Sequence, residues 1–198
     1  MKLLVTGCIH GDSKVAQKLA KRAKNEDVDA IIVAGDFTAP GEKAEGIMGE
    51  LLKAGKRIML LPGNHESLAT AEFLSEKYNL ISLHNRYYKL GELGIAGCGS
   101  ANIGIFQLGE DEIYNILKSN LDKMEAEKKM IVTHVHPHDT LVSKMSGWDG
   151  STGLKAVIDA LQPDLAVSSH IHETEGLEDT IGKTKHHSVG KNGTIIEV

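Results

Sequence analysis

Short apolar runs alternate with amphipathic stretches through the first third of the chain. KLLVT (2–6) leads into a stretch from Ser13 to about Asn25 in which Val15, Ala16, Leu19, Ala20 and Ala23 share one side, and then into AIIVA (30–34). Apolar positions recurring at three- and four-residue steps mark an amphipathic helix, and a short unbroken apolar run bounded by polar residues marks a buried strand. The reading is therefore strand, helix, strand. It continues with a helix near 43–54 closed by Gly55, the run RIMLL (57–61), and a helix beginning after Ser67, whose hydroxyl suits a helix N-terminus. From Asn79 to Gly99 the segments become short and strand-like, with turn signals at Gly91 and Gly94, before a long helix at about 109–127. A strand KMIVT (129–133), a loop rich in Gly, Ser and Asp (134–151), a helix at 153–162 and the run LAVSS (165–169) restore the alternation. The tail reads as paired strands, with Lys191-Asn192-Gly193 as a hairpin turn before TIIEV. No internal repeat, low-complexity tract or linker interrupts the chain, so residues 1–198 are expected to form one domain of the α/β (α+β) class, a mainly parallel sheet backed by helices with further strands.

Composition narrows the function. The 22 Lys and Arg against 27 Asp and Glu leave a net charge of −5, which argues against a protein that grips duplex nucleic acid through clustered cations. No apolar stretch approaches the ~18–20 residues of a membrane span, and MKLLVTGCIHGD turns polar before a signal-peptide core could form. With only Cys8 and Cys98, too few for a disulfide scaffold and too far apart for a CxxC site, a cytoplasmic, reducing location is expected. The departure from average is histidine. Ten occur, against eight Phe, Tyr and Trp together, which points to metal chemistry or proton transfer.

Five apolar runs end in a short loop carrying metal-type donors: Cys8 and His10, then Asp36, then Asn64 and His65, then His134, then His170 and His172. Taken singly, Asp36 and Asn64 read as turn residues and His10 or His134 as packed or surface histidines. Taken together they read differently. The carboxyl ends of parallel strands share one edge of a sheet, and ligands collect outside that edge, so five donor-bearing loops are expected to converge on one site.

His10-Gly11, Gly35-Asp36, Gly63-Asn64-His65-Glu66, His134 and His170-Ile171-His172 stand in the order and approximate spacing of the calcineurin-like metallophosphoesterases, and the chain resembles the small stand-alone members of that superfamily along nearly its whole length. The resemblance implies a four-layer αββα sandwich of two mixed sheets flanked by helices, with two divalent metal ions at the carboxyl edge. It implies that one metal takes Cys8, His10, Asp36 and His172 and the other Asp36, Asn64, His134 and His170, with Asp36 bridging. Nitrogen and oxygen donors of this kind suit manganese, iron, zinc or nickel. It further implies hydrolysis of phosphomonoesters or small phosphodiesters through a metal-bridging hydroxide, with His65 as the catalytic residue, acting as general acid or stabilising the departing oxygen. Glu66 either orients His65 or caps the next helix, and the affinity of helix N-termini for carboxylates favours the cap.

The chain also departs from the family pattern. The first motif there is Asp-x-His, where this chain has Cys8-Ile9-His10; a thiolate would favour softer ions, whereas a neutral thiol at a strand end is an ordinary small buried residue. Ser169 replaces the Gly before the final His-x-His, and Ser188-Val189-Gly190 stands where the family often has Asn-Pro-Gly. The Cys8 departure keeps a second reading open, a binding or scaffold protein on the same fold, while the charge makes a DNA nuclease a distant third. His136 and His138 either line the substrate entrance or are surface loop residues, the second favoured; His84, His186 and His187 read as structural; and Cys98 lies in a loop that either approaches the site or simply buries a small residue, the second favoured. Trp148 and Asp149 would meet either substrate or a neighbouring subunit. A small phosphate ester is the expected partner, with a homo-oligomer left open.

Overall fold

A computed structural model describes residues 1–39 and 45–198. Among the described residues eleven strands form two sheets. The first has the order β11-β1-β2-β3-β4, built from β1 (Lys2–Thr6), β2 (Ala30–Ala34), β3 (Arg57–Leu61), β4 (Ile81–Ser82) and β11 (Thr194–Glu197). The second has the order β5-β6-β7-β8-β10-β9, built from β5 (Arg86–Leu90), β6 (Leu93–Cys98), β7 (Lys128–Thr133), β8 (Leu165–Ser168), β9 (Glu178–Ile181) and β10 (Thr184–Ser188). β1 to β4 are parallel with β11 antiparallel at the edge, and β6, β7, β8 and β10 are parallel with β5 and β9 antiparallel outside them.

The unbroken apolar runs follow from burial on both faces. Because successive side chains point to opposite faces, Leu3, Val5, Ile32 and Met59 of the first sheet meet Ile95, Met130, Val132 and Val167 of the second between the sheets. Leu4, Ile31, Val33 and Leu60 point the other way, against α1 (Ser13–Asn25), α2 (Glu45–Leu52) and α3 (Leu68–Tyr78). Ala96, Ile131 and Ala166 face α4 (Glu110–Lys123) and α6 (Thr152–Leu161) on the far side. The expected four layers of two mixed sheets flanked by helices are thus present.

Local chemistry sets the boundaries. Asp12 accepts from the N–H groups of Lys14 and Val15 to open α1, and Ser67 accepts from Thr70 to open α3. The expected start of α2 near 43 lies outside the described residues. Two expectations are corrected. The loop 134–151 contains a short helix, α5 (Leu141–Ser146), which ends at Gly147 in the left-handed region at φ 76°. Lys191-Asn192-Gly193 does turn the chain, with Gly193 N donating to Gly190 O at 3.2 Å, but β10 and β11 do not pair. The segment between them crosses from one sheet to the other: Val189 N bonds Ser168 O in the second sheet, while Gly190 O accepts from Gly7 N and Thr6 Oγ1 in the first. The free edge of β1, rather than β10, takes TIIE as its antiparallel neighbour.

Candidate metal centre

Every donor-bearing loop leaves the carboxyl end of a parallel strand: β1, β2 and β3 in the first sheet, β7 and β8 in the second. The loops hold one another by their backbones. Cys8 N donates to Gly35 O, His10 N to Asp36 O and Gly11 N to Phe37 O, at 2.9–3.1 Å. Gly63 lies so close to Asp36 that a Cβ there would collide with Oδ1 and the backbone nitrogen. The resulting backbone is unusual. Cys8, His10, Asp36 and His170 all lie in the left-handed region, at φ 53°, 47°, 51° and 73°. A non-glycine residue held there costs about 1–3 kcal/mol, and such residues concentrate where function requires a particular side-chain direction.

Glu66 clamps two of these loops. Its buried carboxylate accepts from Asp36 N at 3.0 Å, Gly63 N at 2.9 Å, Thr38 N at 2.8 Å and Thr38 Oγ1 at 2.7 Å. Burial raises its pKa despite these four donors. The helix cap is Ser67, so the expectation that Glu66 caps α3 or orients His65 is corrected: it ties the β2 and β3 loops together.

On one side of the cleft, Asp36, Asn64, His134 and His170 meet. His134 is fully buried, and its Nδ1–H donates to Ala34 O at 2.8 Å, which aims Nε2 into the site. Around that nitrogen stand Asn64 Oδ1 and His170 Nδ1 at 3.1 Å and Asp36 Oδ2 at 3.2 Å. Two of these four atoms are oxygens without protons, so the group converges with more lone pairs than protons. A divalent cation satisfies that arrangement, and the backbone-anchored second nitrogen is the usual support of a metal-binding histidine. Burial alone would raise the pKa of Asp36, but the hydrogen bond and charge of His134, with His65 beyond, bring it down to about 2. Burial would lower that of His134, and Asp36 raises it instead. Burial and the neighbouring His134 push His170 down to about 3, leaving it neutral with a free lone pair.

On the other side lie Cys8, His10 and His172, whose donor atoms fall within 4.8 Å of one another. His10 Nε2 and His172 Nε2 are 3.1 Å apart. The Cys8 sulfur is also within 4.8 Å of donor atoms of Asp36 and His134, so it faces both sides. Burial pushes its thiol up to about 12, against the hydrogen bond it shares with Ser169 Oγ at 3.2 Å. A nearby cation is what would make it a thiolate. His65 stands between the two sides. Its Nε2 is 3.9 Å from Asp36 Oδ2, its ring centroid is 5.0 Å from that of His10, and its backbone N–H donates to Asp36 Oδ1 at 3.1 Å.

All eight residues singled out from the sequence are brought together here. His136, expected at the surface, is buried, with Nε2 3.1 Å from Trp148 O. His84 accepts from Gly99 N and His186 bonds Ser168 Oγ, both structural, and Cys98 is buried in the outer core. Sequence reasoning missed the clamp role of Glu66, the Ser169 partner of Cys8, and the loop 101–108, in which Gly104 lies against the Asn64 side chain. Its Ile-rich, Gly-containing composition was the available signal.

Similar folds occur among solved structures. TT1561 of Thermus thermophilus matches with a TM-score of 0.79 and 18% identity, over 96% of this chain and 90% of that one. A dimetal phosphatase from Danio rerio matches at 0.65 and 12%, over 98% and 88%, and phosphopantetheinyl hydrolase from Mycobacterium tuberculosis at 0.61 and 14%, over 96% and 90%. At these identities the likeness is one of fold. No curated protein sequence matches the chain. Among the described residues no helix is long and apolar enough to cross a membrane. Residues 1–174 do match the calcineurin-like phosphoesterase family, and with the metallophosphoesterase sandwich and the convergent donors already described, the chain belongs to that family.

Proposed function

We propose that the protein hydrolyses phosphate esters, monoesters or small diesters, at a dinuclear metal centre. The observation that carries this reading is the convergence on His134 Nε2 of Asp36, Asn64 and His170 within 3.2 Å, beside the Cys8, His10 and His172 group. Asp36, Asn64, His134 and His170 would hold one divalent ion and Cys8, His10, Asp36 and His172 the other, with Asp36 shared. When bound, such a pair lowers the pKa of a water and neutralises charge on the phosphoryl oxygens. Manganese, iron, zinc and nickel fit the donors, and the Cys8 sulfur biases its site toward zinc or ferrous iron.

The chain's own residues do the rest. Ala34 O fixes the ring of His134, and Glu66 holds the backbone of Asp36, so the donors are in place before any ion arrives. His65 sits at the mouth beside Asp36, where its imidazole would give a proton to the departing oxygen. The test is to purify the protein without chelator, measure its metal content, and assay aryl phosphate monoesters and diesters. Metal-dependent release of phosphate or of the alcohol supports the reading. A metal-filled protein that turns over neither class would overturn it and favour the scaffold role that the Cys8 departure leaves open.

A further inference from the structure

The loop 101–108 leaves β6 and returns over the site. Phe106 N donates to Asn64 O at 3.2 Å, and a Cβ on Gly104 would collide with the Asn64 side chain. Its base is fastened: Leu108 N donates to Ala101 O at 2.9 Å, and Asn102 Nδ2 bonds both Glu110 Oε1 at 2.9 Å and Gly150 O at 2.8 Å. Glu110 Oε2 in turn accepts from Ser151 Oγ and Gly153 N, so the loop is stitched to the segment 150–153. Yet this anchored loop exposes Ile103 (39%), Ile105 (68%) and Phe106 (37%). Three partly exposed apolar side chains on one anchored loop beside a functional cleft offer a binding surface.

We propose that Ile103, Ile105 and Phe106 form a wall that binds the organic group of the substrate and selects apolar esters, aryl or medium-length alkyl, over small polar ones. The occupant follows from position: the loop's backbone bonds Asn64 O, and Asn64 is one of the residues that would hold a metal facing the phosphoryl group, so the wall begins beside the place where the ester's organic group would leave the cleft. This inference rests on the phosphoesterase reading above. Apolar contacts of this kind separate ligands by about 10-fold or more per group buried, and a half-open wall belongs at the lower end of that range.

The test titrates methyl-, butyl- and octylphosphonate into the manganese-loaded protein by calorimetry, for wild type and for the Ile105→Ser/Phe106→Ser double variant. Both substituted side chains are partly exposed, and unchanged methylphosphonate binding reports an intact centre. In the wild type, octylphosphonate is expected to bind about 10-fold tighter than methylphosphonate; in the double variant that gradient should vanish while methylphosphonate is unaffected. Equal binding of all three by wild type, or a gradient that survives in the double variant, overturns the wall and leaves the phosphoesterase reading standing. Failure of every phosphonate to bind overturns both. A wild-type dimer that the double variant dissociates, seen by sedimentation, would make the loop a subunit contact and overturn the proposal in favour of a second copy of the chain.

Discussion

The two sides of the metal centre are built to different standards. Around His134 three donors are buried and held from behind, His134 by Ala34 O, Asp36 by Glu66 and by the close approach of Gly63, and Asn64 by the loop bearing Gly104, with the half-buried His170 as the fourth. Around His10 the support is thinner. His10 is half-buried, His172 is exposed, and the third member is a cysteine whose neutral thiol bonds Ser169. A preorganised, largely buried set of oxygen and imidazole donors loses little entropy on binding an ion, whereas an open set with one soft donor gains affinity chiefly from the match between sulfur and metal. The first side should hold its ion tightly whatever its identity, and the second should be selective and exchangeable.

The largest effect is expected where the two sides meet. Asp36→Ala removes the shared carboxylate and should empty both sites, abolish turnover and lower the thermal midpoint seen with manganese present to that of the chelator-treated protein, since an ion that binds only the folded state adds stability by mass action. Calorimetric melts with and without chelator check this.

His65→Ala should lower kcat by ~100-fold or more with metal content unchanged, because a positioned proton donor contributes ~10²–10⁴-fold. Loss of metal in this variant would instead enrol His65 as a ligand, which its proximity to His10 and Asp36 makes a real distinction to test.

Glu66→Ala strips the support of the buried side without touching a donor. Three backbone N–H groups and the Thr38 hydroxyl would lose their acceptor. At ~1–3 kcal/mol for each buried group left unpaired, the total is at least ~4 kcal/mol, or about 8–16 °C in the melting midpoint of a chain this size. Metal affinity should fall with it. An unchanged melt would mean that water replaces the carboxylate at no cost, and that the buried side does not owe its rigidity to this clamp.

The smallest effect, and the sharpest on the comparison, concerns Cys8. As a thiolate ligand, its replacement in Cys8→Asp should keep the site filled but shift its preference from zinc or iron toward manganese, as a hard carboxylate replaces a soft sulfur. Cobalt-substituted wild type should show a sulfur-to-metal charge-transfer band that Cys8→Ser lacks. Full occupancy, wild-type turnover and the same spectrum in Cys8→Ser would make Cys8 a packing residue and the open side a three-donor site.

What could be read in the sequence follows the same division between side-chain identity and backbone placement. The strand runs were readable because burial on both faces leaves no polar position within them, and the site was readable because donors followed those runs at five separate ends. The partner of the last strand was not readable: a Lys-Asn-Gly turn looks the same whether the chain doubles back or crosses between sheets, and only the free edge of β1 decides it. Nor was the clamp by Glu66, since its donors are backbone N–H groups that no residue type announces. The carbonyl of Ala34 that aims His134, and the left-handed backbone at Cys8, His10, Asp36 and His170, belong to the same class.

The central claim is that two ions are held across a shared Asp36, and elemental analysis of the protein purified without chelator tests it most directly. The account predicts two divalent ions per chain in the wild type and loss of both in Asp36→Ala at equal protein concentration. An Asp36→Ala protein that retains both ions with unchanged affinity would contradict it.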